Sequence, residues 1–216
     1  MAPGWLHAQG RRARLQQALG LSGLVGLGLF TVVHVAGMLP AAVAGADGFN
    51  TTLPWRRSVV VGVLTWMWLA VPLVVHVAAG TLLARRWRFS VGRWPTPGNW
   101  VLALRRVSAV VVGLFLVEHV WDVRVAPLWL GRTVDGAYMQ RHLALTWTLD
   151  WYVLGVSATS FHLAAGAWTV LCRWGLLRSA WAQRWGAWAA AAAGLALAAT
   201  GMAAAVGLHD ARLVVP

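Results

Sequence analysis

The sequence predicts an all-α integral membrane protein, a bundle of five transmembrane helices forming one domain over residues 1–216. Three observations predict it: five long apolar runs, a charged fraction of only 11%, and a mean hydropathy of +0.64. A soluble domain of 216 residues would carry about 25% charged residues, with polar positions interrupting each apolar stretch every few residues. Here 59% of residues are hydrophobic and the mean hydropathy is +0.64.

The runs span 19–43, 58–84, 104–123, 143–172 and 186–207. Each is about as long as, or longer than, the roughly 20 residues a helix needs to cross about 30 Å of hydrocarbon. Backbone polar groups must be satisfied internally in lipid, which makes these runs helices. The first is too long for a signal-peptide core and ends in no clear cleavage site. Residues 1–17, with Arg11, Arg12 and Arg14, read as a short amphiphilic lead-in at the inner surface. Residues 44–57 and 124–142 read as outer loops, the second the longest. Residues 85–103, broken by Pro95, Pro97 and Gly98, read as the main inner loop. The alanine- and glycine-rich fifth run reads as a packing helix.

The formal charge of +12 comes from arginine, as the chain has no lysine. Twelve arginines fall on the amino-terminal side of the runs: 11, 12, 14, 85, 86, 88, 93, 105, 106, 173, 178 and 184. Six fall opposite: 56, 57, 124, 132, 141 and 212. That bias places the amino terminus in the cytoplasm and the carboxy terminus outside. It accounts for the basic balance as topology and excludes nucleic-acid binding. The single cysteine, Cys172, can form neither an internal disulfide nor an iron–sulfur site alone.

An internal repeat runs through the first four runs. Gly28-Leu29-Phe30-Thr31-Val32-Val33-His34-Val35 aligns with Gly113-Leu114-Phe115-Leu116-Val117-Glu118-His119-Val120, and His76-Val77-Ala78-Ala79-Gly80 with His162-Leu163-Ala164-Ala165-Gly166. Histidine is the polar residue common to all copies. An ionisable residue within a membrane helix is a functional candidate, and four on four successive helices argue against coincidence. Depth sorts them. His34 and His119 lie about 15 residues, roughly 22 Å, beyond the inner ends of their helices; His76 lies about 12 Å and His162 about 15 Å from theirs. The pairs are therefore His34 with His119 toward the outside, and His76 with His162 toward the inside.

Two imidazoles facing across a bundle suit a metal or a haem. Zinc wants four ligands, and no further ligand type serves both pairs. Haem needs two axial ligands and an apolar slot. Phe30 and Phe115, four residues before their histidines, share the histidine face, while Gly80 and Gly166 leave room for a flat ring. Inner arginines can neutralise propionates, and a bis-histidine haem favours electron transfer over oxygen chemistry. The expectation is two stacked b-type haems, with iron ligands His34, His119, His76 and His162. His7, His142 and His209 read as surface residues.

Phe161-His162-Leu163-Ala164-Ala165-Gly166-Ala167-Trp168-Thr169 with Arg173-Trp174-Gly175 resembles a pattern of one known family. That family is the di-haem, five-helix cytochrome b membrane anchor (type B) of succinate dehydrogenase and fumarate reductase. Ala165 stands where the family usually has asparagine. Arg106-Val107-Ser108 and Leu21-Ser22-Gly23 are similar to its helix-entry motifs, and histidine spacings of 42, 43 and 43 residues suit it. The resemblance covers nearly the whole chain. It implies a flavoprotein subunit with FAD and an iron–sulfur subunit on the cytoplasmic face, and a quinone substrate, commonly menaquinone. It further implies a place in the bacterial cytoplasmic membrane, a link to the tricarboxylic acid cycle, and no dicarboxylate site in this chain.

Quinone-site candidates are the acids at the outer ends of the third and fourth runs, Glu118, Asp122 and Asp150, because a carboxylate near the outer haem can exchange protons. Asp122 and Asp150 equally suit an interfacial role, and Glu118 points about 100° from His119. Ser160 occupies a position where some relatives carry a glutamate, so no proton path is expected there. The alternatives are a di-haem cytochrome serving a hydrogenase or formate dehydrogenase, and a haem-free membrane protein with structural histidines.

Overall fold

The computed structural model describes residues 4–85 and 91–209, and in these it is helical with no strand. Five helices are long and apolar enough to cross a membrane: α1 (Gly10–Ala36), α3 (Val59–Ala84), α4 (Pro97–Trp129), α6 (Thr146–Arg173) and α7 (Ala180–Leu208). The five-helix expectation holds, and the chain is a multi-pass membrane protein. Shorter helices lie between them, among them α2 (Leu39–Thr51) and α5 (Gly136–Ala144). Arg86, Arg88 and Arg212, used above for topology, lie outside the described residues.

Sequence and structure differ in four places. The lead-in is continuous with α1, since helix runs from Gly4. The first run is split: α1 ends at Ala36 and a turn at Gly37–Met38 starts α2 with Pro40 in its first turn, where proline's missing N–H costs nothing. The expected loops 44–57 and 124–142 are largely helical, as α2, Leu53–Arg57, the end of α4 and α5. Within the expected inner loop, Thr96 already caps α4, its hydroxyl accepting from the Asn99 N–H.

α7 packs along α6 and α2, α4 along α6, and α3 along α1. Glycine sets the α1–α3 approach. Gly26 faces the Pro72 ring so closely that a Cβ would lie 2.5 Å from it, and Trp68 Nε1 donates to the Gly26 carbonyl at 3.0 Å. Apolar residues of α3 such as Val59, Val63, Met67 and Val71 are exposed, at the spacing of one helix face. That face meets lipid.

The deepest packing is at one end. Ala41 and Phe49 of α2, Met139 and Leu143 of α5, Tyr152 of α6, and Ala204, Ala205 and Leu208 of α7 form a closed core, with Phe49 and Leu143 no more than 2% exposed. This cap forms over the side opposite the amino terminus. α2 kinks at Ala44–Gly45, where Gly45 takes φ +55° beside the Gly207 carbonyl. Gly207 in turn faces the Ala41 carbonyl, 2.5 Å from where a Cβ would sit. Gly207→Val is expected to lever α7 from α2 and destabilise the protein by about 1–3 kcal/mol, the usual cost of overpacking. The measurement is Tm in detergent; an unchanged Tm would show that the cap does not need this contact.

Candidate functional site

The four repeated histidines come together in two pairs. The His34 and His119 rings are 6.1 Å apart between centroids and those of His76 and His162 6.2 Å, each pair with planes at 80°. The helices that carry a pair, α1 with α4 and α3 with α6, are not among the extensively packed ones. Each pair thus joins two helices whose backbones pack mainly against other neighbours.

The inner pair is built twice over by the repeat. A carbonyl oxygen can only accept a hydrogen bond, so the proton of His76 lies on Nδ1, which donates to the Leu19 carbonyl at 3.2 Å. His162 Nδ1 donates likewise to the Arg105 carbonyl at 3.0 Å. Ser22 Oγ lies 3.4 Å from His76 Nδ1, and Ser108 Oγ 3.2 Å from His162 Nδ1. Both hydroxyls are committed as donors to their own helix, to the Ala18 carbonyl at 2.6 Å and the Arg105 carbonyl at 2.9 Å, which leaves them acceptors for the imidazole. Serine and histidine are 54 residues apart in both copies, carbonyl and histidine 57. Fixing Nδ1–H in this way aims the lone pair of Nε2, as neighbours of metal-bound histidines do.

Gly23 makes this fit possible, since a Cβ there would lie 2.5 Å from His76 Cε1. Gly80 and Gly166 are open: an added Cβ meets only Leu19 Cδ1, at 3.6 Å, in the first and nothing within 4 Å in the second.

In the second pair Phe30 stacks on His34 with centroids 5.3 Å apart, and Phe115 on His119 at 5.4 Å. Tyr152 OH lies 3.1 Å from His119 Nδ1. Gly155 lets the Phe115 ring approach; a Cβ there would overlap it.

The ring separation in both pairs is that of two axial imidazoles on one haem iron. Two metal–imidazole bonds of about 2 Å with the ring radii place centroids roughly 6 Å apart, as found. In the His76–His162 pair the fixed Nδ1 protons leave Nε2 for iron.

The acids gather beside the second pair. Glu118 and Asp150, with Trp147, Trp151 and Leu154, line an open, mainly apolar groove of about 580 Å³ between α4 and α6. Trp151 Nε1 donates to Glu118 Oε2 at 3.1 Å. Asp122 is not in this groove. It faces α5, with Oδ2 3.7 Å from His142 Nε2.

His142, expected at the surface, is instead mostly buried, with 16% of its side chain exposed. Burial pushes its imidazole below the ordinary value, against the opposing pull of Asp122. His209, also expected at the surface, donates from Nδ1 to the Leu143 carbonyl at 2.6 Å; the His7 side chain lies outside the described residues. Sequence reasoning missed Tyr152, His142 and the serine acceptors. The equal serine–histidine spacing was the available signal for the last, whereas Tyr152 and His142 carry none.

No family model matches the chain, and no solved structure matches it. Among curated proteins it is similar to the succinate dehydrogenase cytochrome b558 subunit of Bacillus subtilis (strain 168), 28% identical over 170 residues that cover 76% of this chain and 81% of the relative. The resemblance drawn from the sequence, to the cytochrome b subunit of succinate dehydrogenase, is borne out by this relative.

Proposed function

We propose that the chain is the di-haem cytochrome b anchor of a succinate:quinone oxidoreductase, carrying electrons between an iron–sulfur subunit and quinone. The observation that carries this reading is the twofold histidine geometry: two ring pairs at 6.1 and 6.2 Å, the inner with duplicated carbonyl and serine acceptors on Nδ1. His76 and His162 would hold the inner haem, and His34 and His119 the outer. Bound haem supplies one-electron redox chemistry. The chain's own residues orient the imidazoles, exclude water from the slot and supply charge for propionates. Arg105, within electrostatic reach of Arg106 and Arg173, is the centre of that inner positive charge.

The arginine bias puts the amino terminus and inner pair on the cytoplasmic side of a bacterial inner membrane. There a flavoprotein subunit with FAD and an iron–sulfur subunit would dock, and the dicarboxylate site would be theirs. Quinone, of the menaquinone class, would occupy the groove beside the outer pair, a reading supported by its apolar lining and by Glu118 and Asp150 as groups that could exchange protons with it.

The test is a reduced-minus-oxidised spectrum of the purified protein, expected to show two b-type haems that succinate reduces when flavoprotein and iron–sulfur subunits co-purify. A spectrum without b-type bands sinks the reading; haem without succinate reduction transfers the chain to another dehydrogenase. Glu118→Gln is expected to slow quinone reduction by about 10²-fold, as loss of a general acid–base does, with both haems retained. Unchanged turnover would clear Glu118 of proton transfer.

A further inference from the structure

Beyond the histidine pairs, a second cluster of ligating side chains stands at the capped end. Glu118 and Asp122 are four residues apart on α4 and share a face; α4 passes into a π-helical stretch, Trp121–Val125, at the second of them. α5 brings His142 against both. One ligand atom from each of Glu118, Asp122 and His142 lies within 4.8 Å of the others.

We propose that Glu118, Asp122 and His142 form a binding site for a divalent transition-metal ion, with zinc as its best-fitting occupant. Two observations beyond proximity point to a ligand. His142 Nε2 is closed off from solvent and makes no hydrogen bond, and Glu118 Oε1, equally closed off, has no donor beside it, its carboxyl being paired, apart from Trp151 on Oε2, only with the Asp122 carboxyl, a costly state for buried polar atoms. Asp122 Oδ2 and His142 Nε2, at 3.7 Å, are too far apart to share a hydrogen bond. Two ligands on one zinc, with bonds of about 2.0–2.2 Å at a tetrahedral angle, stand only slightly closer than that.

The charge agrees. Two carboxylates side by side at the edge of a membrane are costly unless a proton or cation lies between them, and with a neutral imidazole their two negative charges match one divalent cation. One nitrogen and two oxygens suit zinc, with water as fourth ligand, better than calcium or magnesium, which take more oxygens. An outer layer is in place: Trp151 holds the other oxygen of Glu118, and Tyr138 stacks on His142 with centroids 6.3 Å apart. Tyr138 OH also donates to the Asp122 carbonyl at 2.7 Å. The ion would join α4 to α5 and so tie the cap to the helix that carries His119. The site shares Glu118 with the quinone reading but does not rest on it, because metal retention is measured without quinone.

The experiment dialyses the full-length chain, purified in detergent, against Zn²⁺ alone and counts bound metal by mass spectrometry. The expected result is a zinc site that Asp122→Asn and His142→Gln each weaken by about 100-fold or more, beyond the effect of losing an outer-layer partner, and that His209→Gln leaves intact. Should the variants fail to fold, X-ray absorption of the wild-type zinc complex decides: nitrogen and oxygen neighbours at about 2.0–2.2 Å support the site, and sulfur at about 2.3 Å overturns it in favour of Cys172. No zinc retained by the wild type, or equal retention by wild type and variants, also overturns it and leaves a proton shared by the two carboxylates.

Discussion

His162→Ala is expected to abolish one of two b-type haem signals and leave the other. His76 would then face an empty gap, and one imidazole cannot keep a six-coordinate iron in place against water. His34 and His119 lie on other parts of α1 and α4 and keep their 6.1 Å spacing, so the outer haem should persist. Electron flow from succinate to quinone should stop, because the remaining haem is on the far side of the break. Haem content by pyridine haemochrome and low-temperature difference spectra give the answer. If both signals stay at full intensity in His162→Ala, the assignment of His162 as an axial ligand is wrong.

Gly23→Leu is the second large expected effect, and it touches no ligand. A Cβ at this position lies 2.5 Å from His76 Cε1 and 2.8 Å from Nδ1, so the imidazole must rotate and lose its bond to the Leu19 carbonyl. Freed from that acceptor, Nε2 no longer points across the gap. The predicted phenotype is that of His162→Ala, a missing inner haem, with a further overpacking cost of about 1–3 kcal/mol between α1 and α3. Gly113→Leu is the control, since a Cβ there meets nothing within 4 Å. Full haem content in Gly23→Leu would show that α1 does not position His76.

Much of this was legible in the sequence because membrane helices and repeated motifs leave long-range marks. Hydrocarbon thickness makes each span visible as a run, and the two copies of His-x-Ala-Ala-Gly and Gly-Leu-Phe flag the histidines. The cap was not legible. α2 and α5 are short and fall largely in stretches 44–57 and 124–142 that read as outer loops; their helices pack on Tyr152 and α7. His142 was misread for the same reason, because its burial comes from packing against Asp122 of α4 and Tyr152 of α6, on elements flanking its own short helix. Gly23 was visible as part of Leu21-Ser22-Gly23, but its closeness to His76 depends on how tightly α1 and α3 approach.

The duplicated acceptor pattern bears on how the protein matures. Leu19 aims His76 within the first hairpin, α1 and α3, and Arg105 aims His162 within the second, α4 and α6. Each histidine pair, however, takes one member from each hairpin. A hairpin can therefore orient its own ligand as soon as it is inserted, but neither cleft closes until both copies of the repeat are in the bilayer. A cofactor held by both pairs, as proposed above, would be captured late in biogenesis and would clasp the two halves of the chain together.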